Sequence, residues 1–164
     1  RTDVGRIMRR RDRRDRSEAF AARVRQASGM GDRVNPDRVK NLAGSSAEDV
    51  ILGLLLLYPE QTAFVRDRFG LTQEDFVTEF GRRLYAALLE LCGADPPGDW
   101  GMLAGSFSTD EMSRISNLRS ARMNLGGDPE KLLTDCVGKL RNSKKKDISL
   151  EELINEKRHD GKRV

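Results

Sequence analysis

Few side chains in this sequence could do chemistry. There is one histidine, His159, followed by Asp160 and Gly161. Two carboxylate pairs, Glu48–Asp49 and Asp110–Glu111, have the adjacency that general acid–base work can use. Cys92 and Cys136 are the only thiols, and Trp100 is the only tryptophan. Weighed one by one, these groups point away from catalysis. A lone histidine without a second His or a Cys cluster is a solvated surface group, not a metal ligand. Each carboxylate pair falls where a helix is expected to start, and there it complements the helix dipole. Each cysteine lies inside a helical apolar pattern, so both read as small core hydrophobes held as reduced thiols. Trp100 reads as core in the same way. No P-loop, GxGxxG or nucleophile elbow is present. The sequence calls for no cofactor.

The elements that would position these groups are helical throughout. The spacing of QEDFVTEFGRRLYAALLELCG puts Phe80, Leu84, Leu88 and Leu91 on one face, with Glu79, Arg82, Arg83 and Glu90 opposite. Ser45 with Glu48, Thr72 with Asp75, and Ser108 with Glu111 have capping-box spacing. Gly70 and Gly93 are helix stops, and Asp128 before Pro129 is a start. β-Branched residues are few and do not alternate, so no sheet is expected. The fold class expected is all-α: a small helical bundle with an N-terminal charged connector helix and a C-terminal helical hairpin.

Charge divides the chain into three parts. Residues 1–44 carry 13 basic and 6 acidic groups, residues 45–140 carry 9 and 15, and residues 141–164 carry 8 and 5. An acidic middle therefore lies between basic ends, and the net charge of +4 conceals it. The expected organisation follows these boundaries: a connector helix over Asp3–Ala27 with a linker to residue 44, a bundle over 45–140, and a basic joint with a final helix over 141–164. The charged fraction of 34% against 37% apolar residues implies a small core and much solvated helix surface. Val50–Tyr58, the longest apolar run, falls far short of the roughly 20 residues that cross a bilayer. No secretory signal opens the chain, so a soluble cytoplasmic protein is expected. Because it starts at Arg1 and not at Met, it reads as a piece of a longer protein.

At the C-terminal end, RNSKKK is the expected joint, and Ser149 with Glu152 is the expected cap of the final helix. Leu150, Leu153, Ile154 and Lys157 then share one face. That face either folds back on the preceding helix or awaits a partner. Arg9–Arg16 could track phosphates, yet Asp12, Asp15 and Glu18 blunt its field and no aromatic is there to stack on bases. A solvated connector is the better reading of that run.

AEDVILGLLLLYPEQTAFVRDRF, then EDFVTEFGRRLYAALLEL, then FSTDEMSRI resembles the C-terminal helicase-binding domain of bacterial DNA primase, in its Gram-positive form. The likeness rests on Asp75, Phe76, Val77, Thr78, Glu79, Phe80, Arg82, Arg83, Tyr85, Ala87 and Leu88, and on Phe107, Ser108, Glu111, Met112, Arg114 and Ile115. It spans about residues 47–140. The N-terminal collar domain of the replicative helicase shares the same kind of bundle and is the alternative, as is a nucleic-acid-binding accessory domain. What the resemblance implies is a non-catalytic module that docks on the hexameric replicative helicase and recruits primase to the fork. Primer synthesis would belong to a catalytic core and a zinc-binding domain outside this chain, and DNA contact would be weak or made by those domains. The residues expected to meet the helicase are Leu150, Leu153, Ile154, Lys157 and Arg158, with Lys144, Lys145 and Lys146 steering association. Alone, the chain is expected to be a monomer or a weak dimer.

Overall fold

A computed structural model describes residues 32–160 and, within them, the side chains up to residue 158. The expected connector helix over Asp3–Ala27 lies outside the described residues. A 3-10 turn, Pro36–Lys40, leads into α1 (Leu42–Leu57), α2 (Gln61–Phe69) and a second 3-10 turn (Gln73–Asp75). Next come α3 (Glu79–Gly93), a third 3-10 turn (Trp100–Gly105), α4 (Thr109–Met123) and α5 (Pro129–Asp160). No strand is present among the described residues, so the all-α bundle stands as expected.

α1 is the central element. Ala47, Ile51, Leu52, Leu54, Leu55 and Leu56 are buried on almost every side of it, the pattern of a helix enclosed by others. α4 and α5 pack most extensively against it, with α3 alongside. From α3 come Phe80, Leu84, Tyr85 and Leu88, and from α5 come Leu133, Cys136, Val137 and Leu140. Phe76 stacks on Tyr85 with ring centroids 4.8 Å apart, and the Tyr85 hydroxyl donates to the Leu71 carbonyl at 2.9 Å. The buried ring thus satisfies its one polar atom, as burial requires.

α1 and α4 cross at Gly53. A Cβ placed there would lie 2.5 Å from the Leu118 carbonyl oxygen and 2.8 Å from Arg122 Cγ. The backbone oxygen cannot step aside without moving α4. Gly53→Ala is therefore expected to destabilise the bundle by about 1–3 kcal/mol despite its better helix propensity. Urea unfolding of the two proteins would show it, and equal midpoints would mean that the crossing is loose.

Two expected features of the chain course are corrected. α1 starts at Leu42, capped by Asn41, whose side chain accepts from Gly44 N at 2.7 Å. Ser45 and Glu48 therefore form no capping box. Ser45 Oγ donates back to the Asn41 carbonyl at 2.7 Å, and Glu48 reaches α3 instead. The second correction concerns the C-terminal hairpin. α5 runs unbroken for 32 residues, so RNSKKK is helical and Ser149 caps nothing. From Lys139 onward the helix contains no Gly or Pro, and the propensities of Ser and Asn are too weakly unfavourable to stop it. By contrast, the boxes at Thr72/Asp75 and Ser108/Glu111 are formed, and Asp128 caps the first turn of α5.

Candidate functional site

The proximal part of α5 is a core helix and its distal part is not. Leu133, Cys136, Val137 and Leu140 face the bundle, and Ser143 is the last buried residue. Beyond Asp147 every side chain up to Arg158 is exposed. Leu150, Leu153 and Ile154 are 57%, 52% and 52% exposed, a large apolar surface in water for one helix segment. At 1.5 Å per residue, this exposed segment extends about 16 Å.

Its apolar stripe is not a continuation of the core stripe. At 100° per residue, the line through Leu133, Val137, Leu140, Ser143 and Asp147 keeps facing the bundle, whereas Leu150, Leu153, Ile154 and Lys157 centre roughly a quarter-turn away. The side that would meet the bundle turns polar as the helix leaves it. The strip stays off α1 because α5 continues without a break past the end of the bundle. The helical spacing also places Lys146 and Lys157 on the apolar stripe itself, one at each end. Arg158 is exposed about a quarter-turn to one side of it, and Lys145 is exposed on the far side of the helix, toward Ile148.

Lys144 departs from the expected steering patch. Its Nζ donates to the Glu74 carbonyl, and the side chain is only half-exposed. Arg141 does similar work one turn earlier, donating to the Phe69 carbonyl at 2.8 Å and to Asp75 at 3.3 Å. Both cations hold α5 to the end of α2 and the turn after it. Ile148, outside the stripe that the spacing predicts, is 49% exposed and lies opposite it. Its apolar type at a position away from the heptad-like spacing was the available signal.

The other candidate groups are built into the bundle. Arg82 Nε donates to the Phe76 carbonyl at 3.0 Å. Arg83 pairs with Glu111 at 2.7 Å and lies 5.0 Å from the centre of the Phe107 ring. The Ser108 N–H and Arg83 hold the Glu111 carboxyl below the usual carboxylate range. Asp49 sits between Arg38 and Arg114, and Arg114 also pairs with Asp32. Neither Glu48 nor Asp49 lies in the first turn of α1, so the expected dipole role gives way to tertiary pairing. Asp110 and Glu111 do lie in the first turn of α4.

Glu48 is the group whose importance the sequence concealed. It is 1% exposed, and its carboxylate accepts from Val77 N at 2.9 Å, Thr78 N at 3.2 Å and the Thr78 hydroxyl. Thr78 Oγ1 in turn caps α3 by accepting from Gly81 N at 3.0 Å and receives Asn35 Nδ2 at 3.4 Å. A buried carboxylate from α1 thus completes the N-terminus of α3.

Cys136 is buried, and burial pushes its thiol above the ordinary range. Cys92 is half-buried at an apolar notch of about 200 Å³ lined by Leu55, Leu88, Leu91, Pro97 and Trp100. Trp100 is partly buried and stacks under Arg119 at 5.4 Å. Of the titratable side chains among the described residues, Glu60 and Cys92 line that notch. Among the described residues no group of three His, Cys, Asp or Glu could hold a metal, and no helix is long and apolar enough to cross a membrane. The side chain of His159 lies outside the described residues.

No family model matches this chain, and no curated protein or solved structure shows significant similarity to it.

Proposed function

We propose that this chain is the helicase-binding domain of a bacterial DNA primase and that distal α5 is its docking arm. One observation carries the proposal most: three apolar anchors, Leu150, Leu153 and Ile154, stand more than half exposed on a helix segment that runs on past the bundle, covered by none of the other described residues. An isolated helix of this length is marginal in water, so a partner surface would stabilise it as well as bind it. Anchors at i, i+3 and i+4 suit a hydrophobic groove between helices. Lys146 and Lys157 at the two ends of the stripe, with Arg158 to one side and Lys145 on the far face adding to the positive charge of the arm, would steer it toward an acidic groove.

The sequence likeness supplies the partner, the N-terminal collar of the hexameric replicative helicase, and with it a cytoplasmic setting. On this reading the chain has no active site of its own. Primer synthesis belongs to the other domains of the parent protein, and the role of this one is recruitment to the replication fork.

The decisive experiment mixes the chain with the hexameric replicative helicase of its own species and follows size exclusion with light scattering. Co-elution with the hexamer at micromolar concentration is the expected result. Absence of co-elution at about 50 μM, a free energy near −6 kcal/mol, would remove the docking reading. A chain that forms a ring-sized oligomer by itself would instead be a helicase collar domain.

A further inference from the structure

We infer that a polar girdle around residues 141–147 is the joint that fixes the direction of the arm, with Asn41 as its central residue. The consequence for docking rests on the function proposed above, but the geometry of the joint does not.

α5 is gripped on two flanks at the point where its apolar packing ends. On one flank Ser143 Oγ donates to Asn41 Oδ1 at 2.6 Å, and Asn41 Nδ2 donates to the Asp147 carboxylate. On the other, Arg141 donates to the Phe69 carbonyl and to Asp75, and Lys144 donates to the Glu74 carbonyl. Ser143 and Asp147 are four residues apart, Arg141 and Lys144 three, so each pair shares a side of the helix. The partners come from separate places, the start of α1 on one side and the segment from the end of α2 through the turn before α3 on the other. Held on both sides, the helix can neither roll about its axis nor swing in that plane without breaking directional bonds. Apolar contacts alone would leave both motions softer.

Asn41 is shared between the joint and the fold. The Oδ1 that receives Ser143 also caps α1 through Gly44 N at 2.7 Å. The approach is close: a Cβ on Gly44 would lie 2.7 Å from Ser143 Oγ. Because Asn41 uses its oxygen for the cap and for Ser143, and its amide nitrogen for the arm alone, the Asp147 contact can be removed by chemistry while the cap is kept. Asn41→Asp keeps the accepting oxygen, and aspartate caps helices as well as asparagine does. It loses the donor and sets a second carboxylate against Asp147. The arm is then pushed off while α1 stays capped. The exchange Asn41→Asp with Asp147→Asn returns a donor and an acceptor to the pair.

Residual dipolar couplings of the α5 amides read the arm's direction without any partner present. In the native chain, residues 130–158 are expected to fit one alignment frame together with α1 and α4. In Asn41→Asp the unbroken α5 is expected to tilt as one body, so that the couplings of 130–158 still fit a single frame but no longer that of α1 and α4, and the melting midpoint is expected to fall. The exchanged double variant is expected to restore both. A native arm that already shows averaged couplings would overturn the inference, and so would an Asn41→Asp arm that keeps its native values or an exchange that fails to restore them. Because no helicase enters the measurement, these outcomes say nothing for or against docking. Only if the joint passes does a several-fold weaker helicase affinity of Asn41→Asp become the expected further result.

Discussion

Replacing Glu48 by alanine is expected to cost the bundle about 3–5 kcal/mol and to lower its melting midpoint by about 10–20 °C. The carboxylate is 1% exposed and accepts three hydrogen bonds, from Val77 N, Thr78 N and Thr78 Oγ1. Alanine leaves all three donors without their acceptor, two of them on the fully buried Thr78, and each buried donor costs about 1–3 kcal/mol. It also opens the space that the side chain fills next to Gly81, where an added Cβ would lie 1.9 Å from Glu48 Oε1. Glutamine keeps the shape and one accepting oxygen, so Glu48→Gln is expected to fall between the parent and alanine. Calorimetry on the three proteins gives the order. An alanine variant melting within about 2 °C of the parent would show that the N-terminus of α3 does not depend on this carboxylate.

The pH dependence of the same group has an unusual sign. Burial raises the Glu48 carboxyl above its ordinary value, and the hydrogen bonds from Thr78 and Val77 and the charge of Arg82 only partly oppose that rise. Between 4.5 and the raised value, the folded chain holds a proton that the unfolded chain has released. The contribution of Glu48 is therefore full below the unfolded value, declines as pH rises through the folded value, and stays constant above it. Glu111, held low by the Ser108 N–H and Arg83, works in the opposite sense, with stability present above its ordinary value and lost in acid. Glu48→Gln is accordingly expected to lose more stability relative to the parent near pH 4.5 than at pH 7.5. Urea unfolding at the two pH values checks the sign.

Glu48 also shows what sequence spacing can and cannot deliver. Ser45-x-x-Glu48 and Ser149-x-x-Glu152 have the same form as Ser108-x-x-Glu111, yet only the last is a box. The motif is four residues long and arises readily inside a helix, where its oxygen atoms are free to serve tertiary partners. Nothing local separates a Glu that caps its own helix from one that reaches 30 positions away to Thr78. The bundle itself was legible because its signals agree with one another. Phe80, Leu84 and Leu88 are buried as their spacing implies, Gly70 ends α2 in the left-handed conformation, and Asp128 with Pro129 opens α5.

Seven of the 17 residues that carry the resemblance to primase are interior ones, and only four, Glu79, Arg82, Arg83 and Ser108, are exposed. Phe76, Thr78, Phe80, Tyr85, Leu88, Phe107 and Ile115 are all buried. That wording therefore specifies the bundle and says little about what the bundle binds. The docking reading has to stand on distal α5, which lies outside the motif.

If the proposed docking holds, aspartate at both Leu150 and Leu153 is expected to weaken helicase binding by 100-fold or more without altering the melting midpoint. Burying a leucine against a partner contributes about 1.5–3 kcal/mol, so removing two already accounts for the loss before the cost of placing carboxylates in an apolar groove. The bundle should not register the change, since both side chains are more than half exposed. Ile148→Asp is the matched control. It puts the same charge on the same segment, at a residue 49% exposed, but on the opposite side of the helix. If the quarter-turn offset of the stripe defines the docking face, Ile148→Asp binds within about 3-fold of the parent, under 1 kcal/mol. Equal losses from the two faces would mean that the partner encloses the arm. Native affinity of the double aspartate variant would move the contact off α5 altogether. Raising salt separates the remaining term: on the proposed docking, the exposed cations Lys145, Lys146, Lys157 and Arg158 would act through association rate, so added salt is expected to slow capture and leave release, set by the leucines, unchanged.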